Sequence, residues 1–137
     1  MFIRYAFIAD SVMLDANGKM SAIGIFDTIG AIQFPTVHRD MTLVANLEGN
    51  ISEQGEHKIT VELRDDDSNK LASLDQMVTF KNPTTVQGSI RAGLILKIQD
   101  LLFQKPGRYE FVIFGDERFL GRVSFAILSI KTKTVGE

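Results

Sequence analysis

The amino-acid sequence predicts an all-β fold: a single antiparallel β-sandwich of about eight strands, immunoglobulin-like or C2-like in type. Three observations lead there. Segments of period-two alternation recur roughly every ten to fifteen residues, separated by turn chemistry. No segment carries the sustained apolar period of a long amphipathic helix. The run 106–125 reads as turn, strand, tight turn and strand, with Tyr109, Phe111 and Ile113 alternating against Arg108, Glu110 and Val112.

The elements follow in order. Ile3, Tyr5, Phe7 and Ala9 share one face of the first strand. Asp15-Ala16-Asn17-Gly18-Lys19 is a tight turn, because Asn and Gly tolerate positive φ. The chain returns as a strand from Met20 to Phe26, where Gly24 marks a bulge or a close backbone approach. Phe34-Pro35 suits an edge or a crossing from one sheet to the other. Met41, Leu43, Ala45 and Leu47 alternate with Thr42, Val44, Asn46 and Glu48, and residues 49–56 read as a polar loop. Ile59, Val61 and Leu63 against Lys58, Thr60, Glu62 and Arg64 predict a strand with one wet face, followed by a turn over 65–70.

Residues 71–80 fit neither period, and Asn82-Pro83-Thr84-Thr85 is a loop. Ile90, Ala92, Leu94, Leu96 and Ile98 form another row, and 100–103 read as a helical turn or a strand end. Beyond Gly115-Asp116-Glu117, Phe119, Val123 and Phe125 make a core row against Arg118, Arg122 and Ser124. The domain spans 1–130, with 131–137 a loose tail. The spacing Leu101-x-Phe103-x-x-Pro106-Gly107-x-Tyr109-x-Phe111 predicts a tyrosine corner, with the Tyr109 hydroxyl bonded back to the preceding turn. That corner favours a sandwich over a closed barrel.

Composition narrows the function classes. With 15 basic and 17 acidic residues the net charge is -2, so no nucleic-acid partner is expected. The chain has no Cys, which excludes disulfides, thiolate nucleophiles and Cys-based zinc sites and suits a cytoplasmic location. Ten Phe and no Trp indicate aromatics placed in a core more than on a recognition surface. Arg4 and Asp10 interrupt the apolar N-terminal stretch, so it reads as a buried strand, and no membrane association is expected.

Chemistry-bearing motifs are few. Asp65-x-Asp67-x-Asn69 matches the first ligands of a calcium loop, but Lys70 stands where Gly is required and Gln76 where Glu is. A hairpin turn whose Asp and Asn bond their own backbone is the simpler reading. His38 and His57 show no metal-ligand spacing and read as exposed. Nucleophile elbow, phosphate loop and dinucleotide fingerprint are all absent. The terminal hairpin offers more. Val112, Phe114 and Leu120 lie opposite its core row, as Val44 does in its own strand, and Arg108, Arg118 and Arg122 stand among them. An exposed face that apolar wants a partner, so Arg108, Val112, Phe114, Arg118, Leu120 and Arg122 are the predicted contact surface.

Asn17-Gly18-Lys19-Met20-Ser21, then Gly24-Ile25-Phe26-Asp27, Phe34-Pro35 and Pro106-Gly107-Arg108-Tyr109-Glu110-Phe111, resemble a family of small uncharacterised bacterial proteins, a domain of unknown function. The resemblance covers nearly the whole chain. Its motifs are turn glycines and core aromatics, so it implies a fold and brings no activity, cofactor or catalytic residue. The expected function is a non-catalytic, cytosolic module that binds another protein or assembles with itself, without a cofactor. The alternatives are a small-ligand or calcium-binding domain using Asp65, Asp66 and Asp67, and an enzyme whose site is assembled from separated loops.

Overall fold

The computed structural model describes residues 1–81 and 89–131. Nine strands are described: β1 (Phe2–Leu14), β2 (Met20–Phe26), β3 (Thr28–Ala31), β4 (Thr36–Asn50), β5 (Gly55–Asp65), β6 (Lys70–Phe80), β7 (Ser89–Phe103), β8 (Gly107–Gly115) and β9 (Arg118–Ser129). A 3₁₀ turn, Ile51–Glu53, precedes β5. The strands form two sheets, ordered β2-β1-β4-β7 and β3-β9-β8-β5-β6. β1 lies beside β9 and β6 beside β7, so the sheets stack as a sandwich. The expected loop Asn82-Pro83-Thr84-Thr85 and the tail beyond Lys131 lie outside the described residues.

Turn chemistry sets this order. Asp15 accepts the amides of Asn17 (2.8 Å) and Lys19 (2.9 Å) on Oδ1, and Asp65 accepts those of Asp67 (3.0 Å) and Asn69 (2.9 Å) in the same way. A short carboxylate bonded two and four residues ahead closes each hairpin without help from the core. The β8–β9 turn differs: Asp116 (φ 48°) and Glu117 (φ 71°) are both left-handed, the two-residue geometry whose twist matches the flanking strands.

Two departures from the expected sandwich concern β3. It adds a ninth strand, and it runs parallel to β9, from Thr28 opposite Ala126 to Ala31 opposite Ser129. Thr28-Ile29-Gly30-Ala31 is too short to show a period in sequence. It is ordered by the edge of β9, where Ala126 donates to Asp27 O and Ile130 to Ala31 O, both at 2.9 Å. Phe34-Pro35 then carries the chain from β3 in one sheet to β4 in the other, as its sequence suggested. Residues 100–103 continue β7 as strand, with Asp100 at φ 55°.

The core is built from the predicted rows of β4, β5, β7 and β8, but not from the row read in β1, where a bulge between Ile3 and Tyr5 sets these two on opposite faces and Ile8 enters the core. Met41, Leu43, Ala45 and Leu47 of β4 and Ile90, Ala92, Leu94 and Leu96 of β7 face Ile59, Val61 and Leu63 of β5 and Tyr109, Phe111 and Ile113 of β8. Phe103 stands edge-on to Tyr109 (centroids 4.8 Å apart) and to Phe125 (6.0 Å), and Phe111 stacks on Phe125 at 5.4 Å. The Tyr109 hydroxyl donates to Lys105 O at 2.6 Å, the bond that defines the expected corner. Tyr109→Phe should therefore cost about 1–2 kcal/mol, since the ring still packs but a carbonyl loses its donor. Denaturant melts would show it as a lower midpoint at unchanged slope.

The terminal hairpin departs from simple alternation. Ile113 pairs with Gly121 but Phe114 pairs with Phe119, so Leu120 is an extra residue in a β-bulge. The bulge inverts the faces beyond it. Phe119, expected in the core row, is 52% exposed, whereas Leu120 turns inward against the core beside Gly115.

β1 has two jobs. Its first half pairs with β4 as far as Ala9–Thr42, and its second half pairs with β2 from Ile8–Phe26 to Leu14–Met20. On a straight strand Leu14 and Tyr5 would be about 30 Å apart. They instead line one hollow, together with Met20, Val44 and Ile95. The β1–β2 hairpin is therefore bent back over the outer face of β4 and β7. The bend falls near Asp10, whose carboxylate sits where a side chain on Gly24 (φ 71°) would be, the close approach that glycine foreshadowed. Thr42 and Val44 are both buried, so Val44 is not on an open face as expected.

Candidate functional site

The predicted contact surface is only partly a surface. Arg108, Arg118 and Arg122 are exposed and Phe114 is half-buried, but Val112 retains 3% of its area and Leu120 has left that face altogether. Val112 lies between Glu62 and Arg122 on the neighbouring strands. Arg122 sits 5.1 Å from the Phe119 ring and 3.6 Å from Glu110, and Arg64 sits 5.7 Å from the Phe114 ring and 2.6 Å from Glu62. Long charged side chains thus lay their stems over the apolar residues and keep their heads in water. Of the arginines that suggested a binding patch, Arg122 lies over Phe119, and Arg64 of β5 lies over Phe114.

The histidines are also corrected, since neither is fully exposed. His38 packs beside Phe26 at a centroid distance of 5.8 Å. His57 lies between two acceptors, with Nδ1 at 2.5 Å from Asp116 Oδ2 and Nε2 at 2.5 Å from Glu53 O. A neutral imidazole can donate from one nitrogen only, so this geometry selects the imidazolium. The Asp116 carboxylate, then the Glu53 carbonyl, raise the His57 pKa above its ordinary value, and His57 in turn holds Asp116 below its own. Asp116 Oδ1 also accepts from Lys58 N at 3.1 Å, and Asp116 N donates to Lys58 O at 2.8 Å. The cluster clasps the start of β5 to the β8–β9 turn.

The acidic loop is engaged with itself. Beyond its two backbone bonds, Asp65 accepts from Asn69 Nδ2 at 3.1 Å on Oδ2, and the bonds from Asn69 hold its carboxyl below the ordinary value. Among the described residues no group of three His, Cys, Asp or Glu is placed to hold a metal. No helix among them is long and apolar enough to cross a membrane.

What the structure does expose is the far side of the β1–β2 hairpin. Met13 is 55% exposed, Ile23 58% and Ile25 63%, all on the face opposite Leu14 and Met20. Among the described residues β2 is an edge strand, hydrogen-bonded to β1 alone. The sequence carried a signal for this site: Met20-Ser21-Ala22-Ile23-Gly24-Ile25-Phe26 is apolar on both faces, unlike a strand with one wet side.

A search of curated proteins found no match. Among solved structures the chain is similar to a Pseudomonas fluorescens alkylpurine DNA glycosylase, AlkC, bound to DNA containing an abasic site analog, at 13% identity and a TM-score of 0.44. The likeness covers 75% of this chain and only 28% of that one, and it bears on no functional argument. Residues 4–128 match the model of DUF6941, a family of unknown function, and the chain belongs to that family.

Proposed function

We propose that the protein is a non-catalytic, immunoglobulin-like cytosolic module that works by protein association, pairing with its own copies through the β1–β2 hairpin. The strand order supports the subtype. The order β9-β8-β5-β6 matches the G-F-C-C′ sheet of variable-type domains, β1-β4-β7 matches A-B-E, and the tyrosine corner opens β8 as it opens strand F. The observation that carries the function is the exposed row Met13, Ile23 and Ile25 beside the free edge of β2. An edge strand with a flat apolar face is a template for pairing, and charge is the usual guard against it. On this hairpin the edge residues are apolar. A twofold axis through two antiparallel β2 edges would join the sheets and bring both apolar rows side by side into one continuous patch across an isologous contact.

Light scattering across a concentration series tests this. The wild type is expected to dimerise, and the Ile23→Lys/Ile25→Lys double variant to remain monomeric with its melting temperature little changed, because both sites are exposed. A wild type that stays monomeric at the highest concentrations would refute self-association.

A further inference from the structure

The other face of the same hairpin borders an open hollow of about 440 Å³ against the outer face of β4 and β7, within the size range of small-molecule sites. Its walls are Leu14 and Met20 on the hairpin side and Tyr5, Val44 and Ile95 on the sheet side. These walls do not fill the space between them: Leu14 is 56% exposed, Tyr5 42% and Ile95 41%.

Gly93 forms part of the floor, paired with Asn46 in the middle of β7. It does not have the positive φ of Gly18 or Gly24, so no turn requires it. A Cβ added there meets nothing within 4 Å, so no neighbour excludes a side chain either. A glycine inside a strand weakens it, and where neither backbone nor packing demands one, it marks a place that something else approaches closely.

One end of the hollow is charged. Arg91 lines it and donates from Nε to Glu48 Oε1 at 3.0 Å, while Arg4 lies 3.6 Å from the same oxygen and donates to Asn46 Oδ1 at 3.1 Å. Two guanidiniums share one carboxylate, which leaves a net positive charge at the mouth. The terminal nitrogens of Arg91 have no partner among the described residues, and that fork fits a carboxylate in two parallel bonds.

We propose that this hollow binds a long-chain carboxylate, its alkyl chain lying over Gly93 between the hairpin and the sheet and its carboxylate on Arg91. The site is separate from the association face proposed above and does not depend on it.

Calorimetric titration with dodecanoate below its micelle concentration, beside dodecanol and acetate, is the test. The wild type should bind dodecanoate saturably at one site per chain, dodecanol more weakly, and acetate undetectably. Gly93→Leu should abolish binding by filling the floor, without lowering the melting temperature of the free protein. Arg91→Gln should weaken dodecanoate roughly tenfold while leaving dodecanol unchanged, the loss of one charge-assisted contact. The proposal is overturned by non-saturating uptake in the wild type, by dodecanol binding as tightly as dodecanoate, or by undiminished binding in both variants. Should Gly93→Leu not fold, the Arg91→Gln titration decides alone.

Discussion

Phe103→Ala is expected to destabilise the protein by about 3–5 kcal/mol, the largest effect of any single substitution considered for this chain. Phe103 is fully buried at the end of β7 and its ring meets Tyr109 and Phe125 edge-on, so one side chain from the first sheet locks two aromatics of the second. Truncation removes the transfer energy of the ring, two oriented aromatic pairs of about 0.5–1.5 kcal/mol each, and leaves a cavity between strands that hydrogen bonds hold apart. Urea unfolding should report a lower midpoint with an unchanged slope. Phe119→Ala is the matched control. A ring that is 52% exposed in a bulged strand should cost about 1 kcal/mol or less. If Phe119→Ala proved the costlier of the two, the register of the β8–β9 hairpin described above would be wrong.

Asp116→Ala is expected to cost about 1.5 kcal/mol near pH 5, a figure kept modest because half of the Asp116 side chain is in solvent. The substitution removes the acceptor for both the imidazolium and the Lys58 amide. Its pH dependence is the sharper signature. The folded-state pKa of His57 is raised above 6.5, so its contribution is complete below about 6.5 and is lost as pH climbs through the raised value. The folded-state pKa of Asp116 is lowered below 3.8, so its contribution is complete above about 3.8 and is lost as pH falls through the lowered value. Both hold between those ordinary values. The gap in melting temperature between wild type and Asp116→Ala should therefore be widest from about pH 4 to 6.5 and narrower at pH 9. An equal gap at pH 5 and pH 9 would mean that His57 is neutral in the folded protein.

Much of the fold was legible because burial on one face writes a period of two into the chain. The rows of β4, β5, β7 and β8 could be read directly, and the back-bonded hydroxyl of Tyr109 followed from spacing alone. Both Asp-led turns announced themselves, since their hydrogen bonds are local. β6 could not be read. Residues 70–77 are exposed on both faces of an edge strand, and only Val78 and Phe80 are buried, so no packing imposed a pattern on the first part.

The candidate surfaces were less legible. Alternation assumes one residue for one, and the extra Leu120 reverses every face beyond it. Apolarity on the second face of a strand also has more than one meaning. At Val112 it marks cover by the stems of charged residues, at Val44 a buried place beside the folded-over hairpin, and at Ile25 open surface. The residue type is the same in all three cases.

Strand content, the core rows, the closing turns and the corner at Tyr109 were thus determined by the sequence itself, because each rests on neighbours within a few residues or on a repeated local period. The bend of β1, the parallel seat of β3, the His57–Asp116 clasp and the choice of which apolar face stays open were decided only in the tertiary structure. Each of these joins residues far apart in the chain, from Tyr5 to Ile95, Thr28 to Ala126, and His57 to Asp116. Contacts at that range leave no periodic trace, because their energy depends on where two distant backbones meet and not on what either segment does alone.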